Sequence, residues 1–145
     1  MGTPYEKDVV AWANEQAALL RAGKLSAIDI EHIAEEIEDV GKSQLRELGS
    51  RISVLLAHLL KWQYQPERRS KSWSSTIRTQ RKDANYLLGE APSLRRRFDE
   101  SKWLDVVWSK ARTLAESETG IDFDDFPEIC PWPIGCVLEE GFLPE

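Results

Sequence analysis

Residues able to hold an anion are concentrated in one stretch of the chain. Between His58 and Arg81, the cations Lys61, Arg68, Arg69, Arg78 and Arg81 are interleaved with Trp62, Tyr64 and Trp73. A guanidinium offers paired N–H donors to a phosphate or carboxylate, and an indole face stacks on a base. His58, Lys61, Arg68, Arg78 and Arg81 would form a small anion pocket. Together with Trp62, Arg69 and Trp73 they would form a single-strand nucleic-acid surface. The same residues have a plainer use, in which helix-borne cations pair with acidic neighbouring faces and His58 locks a helical hairpin by a hydrogen bond. In an antiparallel hairpin centred near Arg68, His58 would face Ile77, Arg78 and Arg81. A net charge of −6 weighs toward the plainer use, as does the lack of a recognised nucleic-acid motif.

A second concentration is acidic: Glu31, Glu35, Glu36, Glu38 and Asp39, with His32 among them. Helical bundles that bind two metals use Glu-x-x-His, with both side chains projecting into the core. Here the order is reversed, His32-x-x-Glu35, and the chain has only 2 histidines. His32, Glu35 and Glu36 are therefore weak metal candidates, and a solvated acidic face is the expectation. Acid–base pairing of Glu36 with His58 is also disfavoured, because one straight helix would hold them roughly 33 Å apart. Nucleophilic chemistry finds no support. Cys130 and Cys136 have no histidine nearby in sequence and do not form C-x-x-C, and no G-x-S-x-G or glycine-rich phosphate loop occurs. Neither a cofactor nor an enzymatic activity is expected.

The elements that must position these residues can be read from periodicity and punctuation. Apolar residues at three- and four-residue spacing predict helices over about 5–22, 27–64, 72–90 and 93–118. Ser26 is the expected cap of the second and Ser93 of the fourth, with a local break conceivable at Asp99–Ser101. In the second helix Ile30, Ile33, Ile37 and Val40 form one stripe, and Leu45, Leu48, Ile52, Leu55, Leu59 and Trp62 form another. The second stripe lags by a residue across Gly41, so the choice lies between one helix with a drifting stripe and a break; one helix is expected. Residues 121–145 mix Pro127, Pro131, Pro133 and Pro144 with Phe123, Phe126, Trp132 and Phe142, the composition of an irregular arm lying over a bundle. The expected fold is all-α, a bundle of about four helices with this arm, as a single domain over 1–145.

Charge is spread unevenly over those elements. Residues 61–97 carry 10 basic and 3 acidic side chains, whereas residues 98–145 carry 3 basic and 12 acidic ones. No apolar run reaches the length of a membrane span, and the opening MGTPYEKDVV lacks the features of a signal peptide. The expected compartment is the cytoplasm.

Several stretches carry a resemblance that covers nearly the whole chain. They are Ala34-Glu35-Glu36-Ile37-Glu38, the run Leu55-Leu56-Ala57-His58-Leu59-Leu60-Lys61-Trp62-Gln63-Tyr64-Gln65-Pro66-Glu67-Arg68-Arg69-Ser70, then Ser72-Trp73, Thr76-Ile77-Arg78 and Pro127-Glu128-Ile129-Cys130-Pro131. This pattern resembles the bacterial family catalogued as domain of unknown function 29. The resemblance implies a helical bundle and no established activity. The leading expectation is a helical interaction module that self-associates through an apolar helix face or takes an unknown protein partner. Nucleic-acid or anion binding at the basic turn stands second, and a carboxylate–histidine metal site third.

Overall fold

Aspartates open the first two helices. Asp8 sits in extended backbone and accepts a hydrogen bond from the Ala11 amide at 3.0 Å, so α1 runs Val9–Arg21. The expected start at Tyr5 is too early because the cap must itself be non-helical, and Asp8 meets that condition. Gly23, at φ 72°, takes the left-handed turn that ends α1. Ser26 does not cap the next helix but lies within a 3-10 turn, Leu25–Ala27. Asp29 takes its place, accepting from the His32 amide at 3.3 Å, and α2 runs Ile30–Tyr64. It passes through Gly41 without a break, as expected for one long helix.

Pro66–Arg68 forms a 3-10 turn, after which the Ser70 hydroxyl accepts from the Trp73 amide at 3.2 Å and starts α3, Lys71–Glu90. The fourth expected helix divides. Pro92–Asp99 is 3-10, extended backbone at Glu100 interrupts it, and α4 runs Ser101–Thr119. Arg97 reaches Glu100 at 2.9 and 3.1 Å across this junction, while Leu94 and Phe98 pack inward from the 3-10 segment. Gly120, at φ 78°, ends α4. The arm then makes a 3-10 turn at Phe123–Asp125 and a single helical turn, α5, Ile134–Val137.

The computed structural model describes residues 2–145, and the chain divides into two compact units, Met1–Ser43 and Gln44–Glu145. In the first unit Trp12 and Gln16 are the buried side chains of α1. Trp12 donates its indole N–H to Asp29 at 3.0 Å, and Gln16 accepts from the Asp29 amide at 2.7 Å. In the second unit Leu48, Ile52, Leu55, Leu59 and Leu60 of α2 are completely buried. They meet Ile77, Ala84 and Leu88 of α3 and Val107, Trp108 and Ala111 of α4 in one core. The arm covers that core with Phe126, Val137 and Leu138, and Trp108 donates to the Pro127 carbonyl at 2.8 Å. Among the described residues no helix is long and apolar enough to cross a membrane.

Burial divides the two stripes of α2 sharply. Leu55→Ala should destabilise the fold by about 3 kcal/mol through lost burial and a cavity. Ile37→Ala, on a residue 68% exposed, should stay within about 0.5 kcal/mol. Urea unfolding followed by circular dichroism checks both, and equal losses at the two positions would contradict this division.

Candidate functional site

The corner between α2 and α3 brings most of the expected basic residues together, but it turns them on the protein itself. Lys61 is buried, and its ammonium donates to Glu118 of α4 at 2.6 Å while lying 4.8 Å from the Trp73 ring centre. Arg69 donates from Nε to the Trp62 carbonyl at 2.8 Å and covers the Trp62 ring at 4.9 Å. Each of the two indoles that could have stacked on a base thus already holds a cation. Arg68 is exposed and, among the described residues, enters no ion pair.

His58 is half-buried, with Nδ1 3.0 Å from the Val54 carbonyl one turn back on its own helix. Burial pushes its pKa down. The Val54 bond opposes that shift and Lys61 adds to it. The charges acting on His58 are Lys61 and Glu118, and the cavity that holds Arg78 and Arg81 does not include it. Across the hairpin Lys61 meets Trp73 and Arg51 meets Asp83, pairings centred near residue 67, next to the centre expected at Arg68.

Arg81 and Arg78 belong instead to an open cavity of about 530 Å³ between α3 and the arm. Arg81 is buried, donating from Nε to the Val137 carbonyl at 2.9 Å and from Nη2 to the Phe142 carbonyl at 2.7 Å. Asn85, one turn on, donates to the Leu138 carbonyl at 3.0 Å. Burial lowers the guanidinium pKa from its ordinary value and Glu140 raises it, yet arginine stays charged at any working pH. Gly141 adopts φ 83°, the left-handed conformation that turns the arm back over α3.

In the first unit the acidic segment of α2 is knitted to the residues before α1. The Tyr5 hydroxyl donates to Glu36, and its ring stacks on His32 with centroids 4.2 Å apart. His32 places Nδ1 2.7 Å from Asp29 and Nε2 3.3 Å from Glu6. The Asp29 bond raises the His32 pKa, the His32 bond lowers that of Asp29, and the bond to Glu36 pushes Tyr5 up to about 12. Glu35 stands exposed, so the three weak metal candidates do not converge. Among the described residues no group of three or more carboxylate, imidazole or thiol side chains is placed to hold a metal ion. Cys130 and Cys136 are unpaired and half-buried, and burial raises the Cys130 thiol pKa.

One further feature of this unit stands out. Ile30, Ile37 and Val40 are 68%, 68% and 65% exposed, although their stripe is as regular as the buried one downstream.

The family model described as Domain of unknown function DUF29 matches residues 4–143. The chain belongs to that family. No match was found among curated proteins or among solved structures.

For this DUF29 chain, α3 carries two thirds of the residues that line the cavity. Ser74, Ile77, Arg78, Arg81, Lys82 and Asn85 recur at three- and four-residue steps, which places them on one helical face. Lys82 could have been found that way. Glu140, Gly141 and Leu143 could not, because an irregular arm has no period to read. Tyr5 and Trp12 escaped for a similar reason, since their partners lie in a different element.

Two measurements follow from these contacts. Arg81→Met removes two charge-assisted bonds to the arm and should cost about 3 kcal/mol. It should also speed proteolysis near Phe142, and Arg81→Lys should not restore both bonds. An arm as resistant as the wild type would refute the clamp. The second concerns pH. With its folded pKa lowered, His58 resists protonation while the unfolded chain takes up protons below about pH 6.5. Its contribution to stability is therefore complete above that pH and declines as pH falls toward the folded pKa. His32, whose pKa is raised, acts oppositely and loses its contribution as pH rises through its folded value. Thermal melts of His58→Gln should show a shallower acid decline than wild type, and an unchanged slope would assign the decline elsewhere.

Proposed function

We propose that this DUF29 protein is a non-enzymatic helical interaction module whose N-terminal unit pairs with a second copy of itself. The observation that carries the reading is the uncovered stripe Ile30, Ile37 and Val40. With the half-buried Ile33 these residues step by three, four and three, the a/d spacing of a coiled-coil seam. Ala34 and Gly41 flank that seam at the next heptad position, where small side chains let a second helix approach closely. Four of the carboxylates, Glu31, Glu35, Glu38 and Asp39, fall at outer positions of the same heptads, so they keep the helix soluble without lying across the seam. Glu36 does flank it, and Tyr5 already occupies that carboxylate. Val10 and Leu25, 68% and 63% exposed, add apolar surface to the same unit.

The basic corner is the weaker reading, because Lys61, Arg69 and both tryptophans are engaged within the fold. We place the protein in the cytoplasm, where its two unpaired cysteines would stay reduced.

Sedimentation velocity over a wide concentration range tests the pairing. Wild type should shift toward a dimer as concentration rises, and Ile37→Lys with Val40→Lys should hold it monomeric at every concentration. High salt should leave the equilibrium nearly unchanged, since the seam is apolar. A wild-type monomer throughout would remove self-association and leave the stripe to a different protein.

A further inference from the structure

We propose that the cavity between α3 and the C-terminal arm is a binding site for a small monoanion with an apolar body, such as a medium-chain carboxylate. Nothing in this inference depends on the N-terminal seam. At about 530 Å³ the cavity is within the range of small-molecule sites. Its walls are mostly apolar, with Ile77 contributed by α3 and Leu143 by the arm. Ser74 and Asn85 are its neutral polar residues, and its charged residues are mostly of one sign. Arg78, Arg81 and Lys82 line the cavity against a single carboxylate, Glu140.

Arg78 and Lys82 stand one helical turn apart, both exposed, and neither enters an ion pair among the described residues. Like charges at this spacing repel and weaken the helix that carries them. On the same helix Asp83, the residue next to Lys82, takes Arg51 at 3.3 Å instead. A bound carboxylate between Arg78 and Lys82 would supply the missing counter-charge. Arg81 adds a third donor. Nε and Nη2 are committed to the arm, but Nη1 has no acceptor among the described residues and is not among the sealed polar atoms. The two arm bonds also fix the guanidinium plane, so the remaining N–H groups are oriented before a ligand arrives.

The carboxylate of the ligand thus lies toward Arg78 and Lys82, with its hydrocarbon body between Ile77 and Leu143. Glu140 disfavours a second negative charge on the ligand, which sets the preference for a monoanion. It also disfavours nucleic acid, whose successive phosphates would have to pass it.

The test titrates sodium decanoate into the full-length protein at low salt, following backbone amides by NMR. Saturable binding is expected, with the largest shifts at Ile77, Arg78, Lys82 and Leu143. Arg78→Glu with Lys82→Glu should weaken decanoate at least tenfold. Both side chains are exposed, and an unchanged melting profile confirms that the variant folds. Leu143→Asp should weaken binding from the apolar side. Decyltrimethylammonium should bind wild type poorly, and acetate should bind it poorly for lack of a body. The proposal falls if decanoate does not saturate, if the charge-reversed variant binds it equally well, if the cation binds as tightly as the anion, or if the shifts map to Ile30–Val40.

Discussion

Within the second unit two arginines hold the arm to the helices, and the covering of the core depends on them. Arg81 donates to carbonyls on either side of the Gly141 turn, and Arg112 donates to the Phe123 carbonyl at 3.2 Å while lying 3.7 Å above the Phe123 ring. An irregular segment rich in proline satisfies only some of its own backbone acceptors, here through single turns. Without donors reaching out from the helices, those carbonyls would face water, and Val137 and Leu138 could not stay buried. Arginine suits the task because it keeps its charge when buried and offers several donors from one rigid plane. The fit is not complete, since the Nε of Arg112 is buried without an acceptor.

The same constraint explains where the positive charge goes. A cluster of cations in an acidic protein looks like a surface for polyanions, but location changes its meaning. Lys61 neutralises Glu118, Arg69 folds back over Trp62, and Arg81 serves the arm. Each serves a protein acceptor, Lys61 and Arg81 from buried positions and Arg69 from an exposed one. Arg68, Arg78 and Lys82 remain outside, and they do not form one continuous patch. Arg78 and Lys82 share the cavity, whereas Arg68 sits on the turn before α3.

Helices were legible because period and core coincide. The stripe Leu48 to Leu60 is both regular and buried, and α2 runs through Gly41 because a single exposed glycine costs about 1 kcal/mol, too little to break a helix. Caps were less legible: Asp8 and Asp29 outcompete earlier candidates only once the backbone around them is known. The stripe of Ile30 and Ile37 shows the opposite limit, since its period is that of a buried face although its surface is open. The site was half legible. Arg78 and Arg81 were in view, but their grouping with Glu140 and Leu143 rests on the fold of a segment without periodicity. The hairpin centre was legible to within a residue or so, but that count does not say which groups share a cavity, and His58 does not line the one that holds Arg78 and Arg81.

The distribution of aromatic side chains has an optical consequence. Of the 6 tryptophans, only Trp12 lies in the first unit; Trp62, Trp73, Trp103, Trp108 and Trp132 all lie in the second. Trp108 and Trp132 sit edge to face at 5.9 Å, with Phe142 6.4 Å beyond, close enough for their excited states to communicate. Intrinsic emission from the intact chain is therefore weighted toward the arm-covered core. In a chain carrying Trp12→Phe, all of the tryptophan emission would come from the second unit, whereas amide absorption would still report the helices of both. A single substitution thus turns tryptophan emission into a signal of the second unit alone.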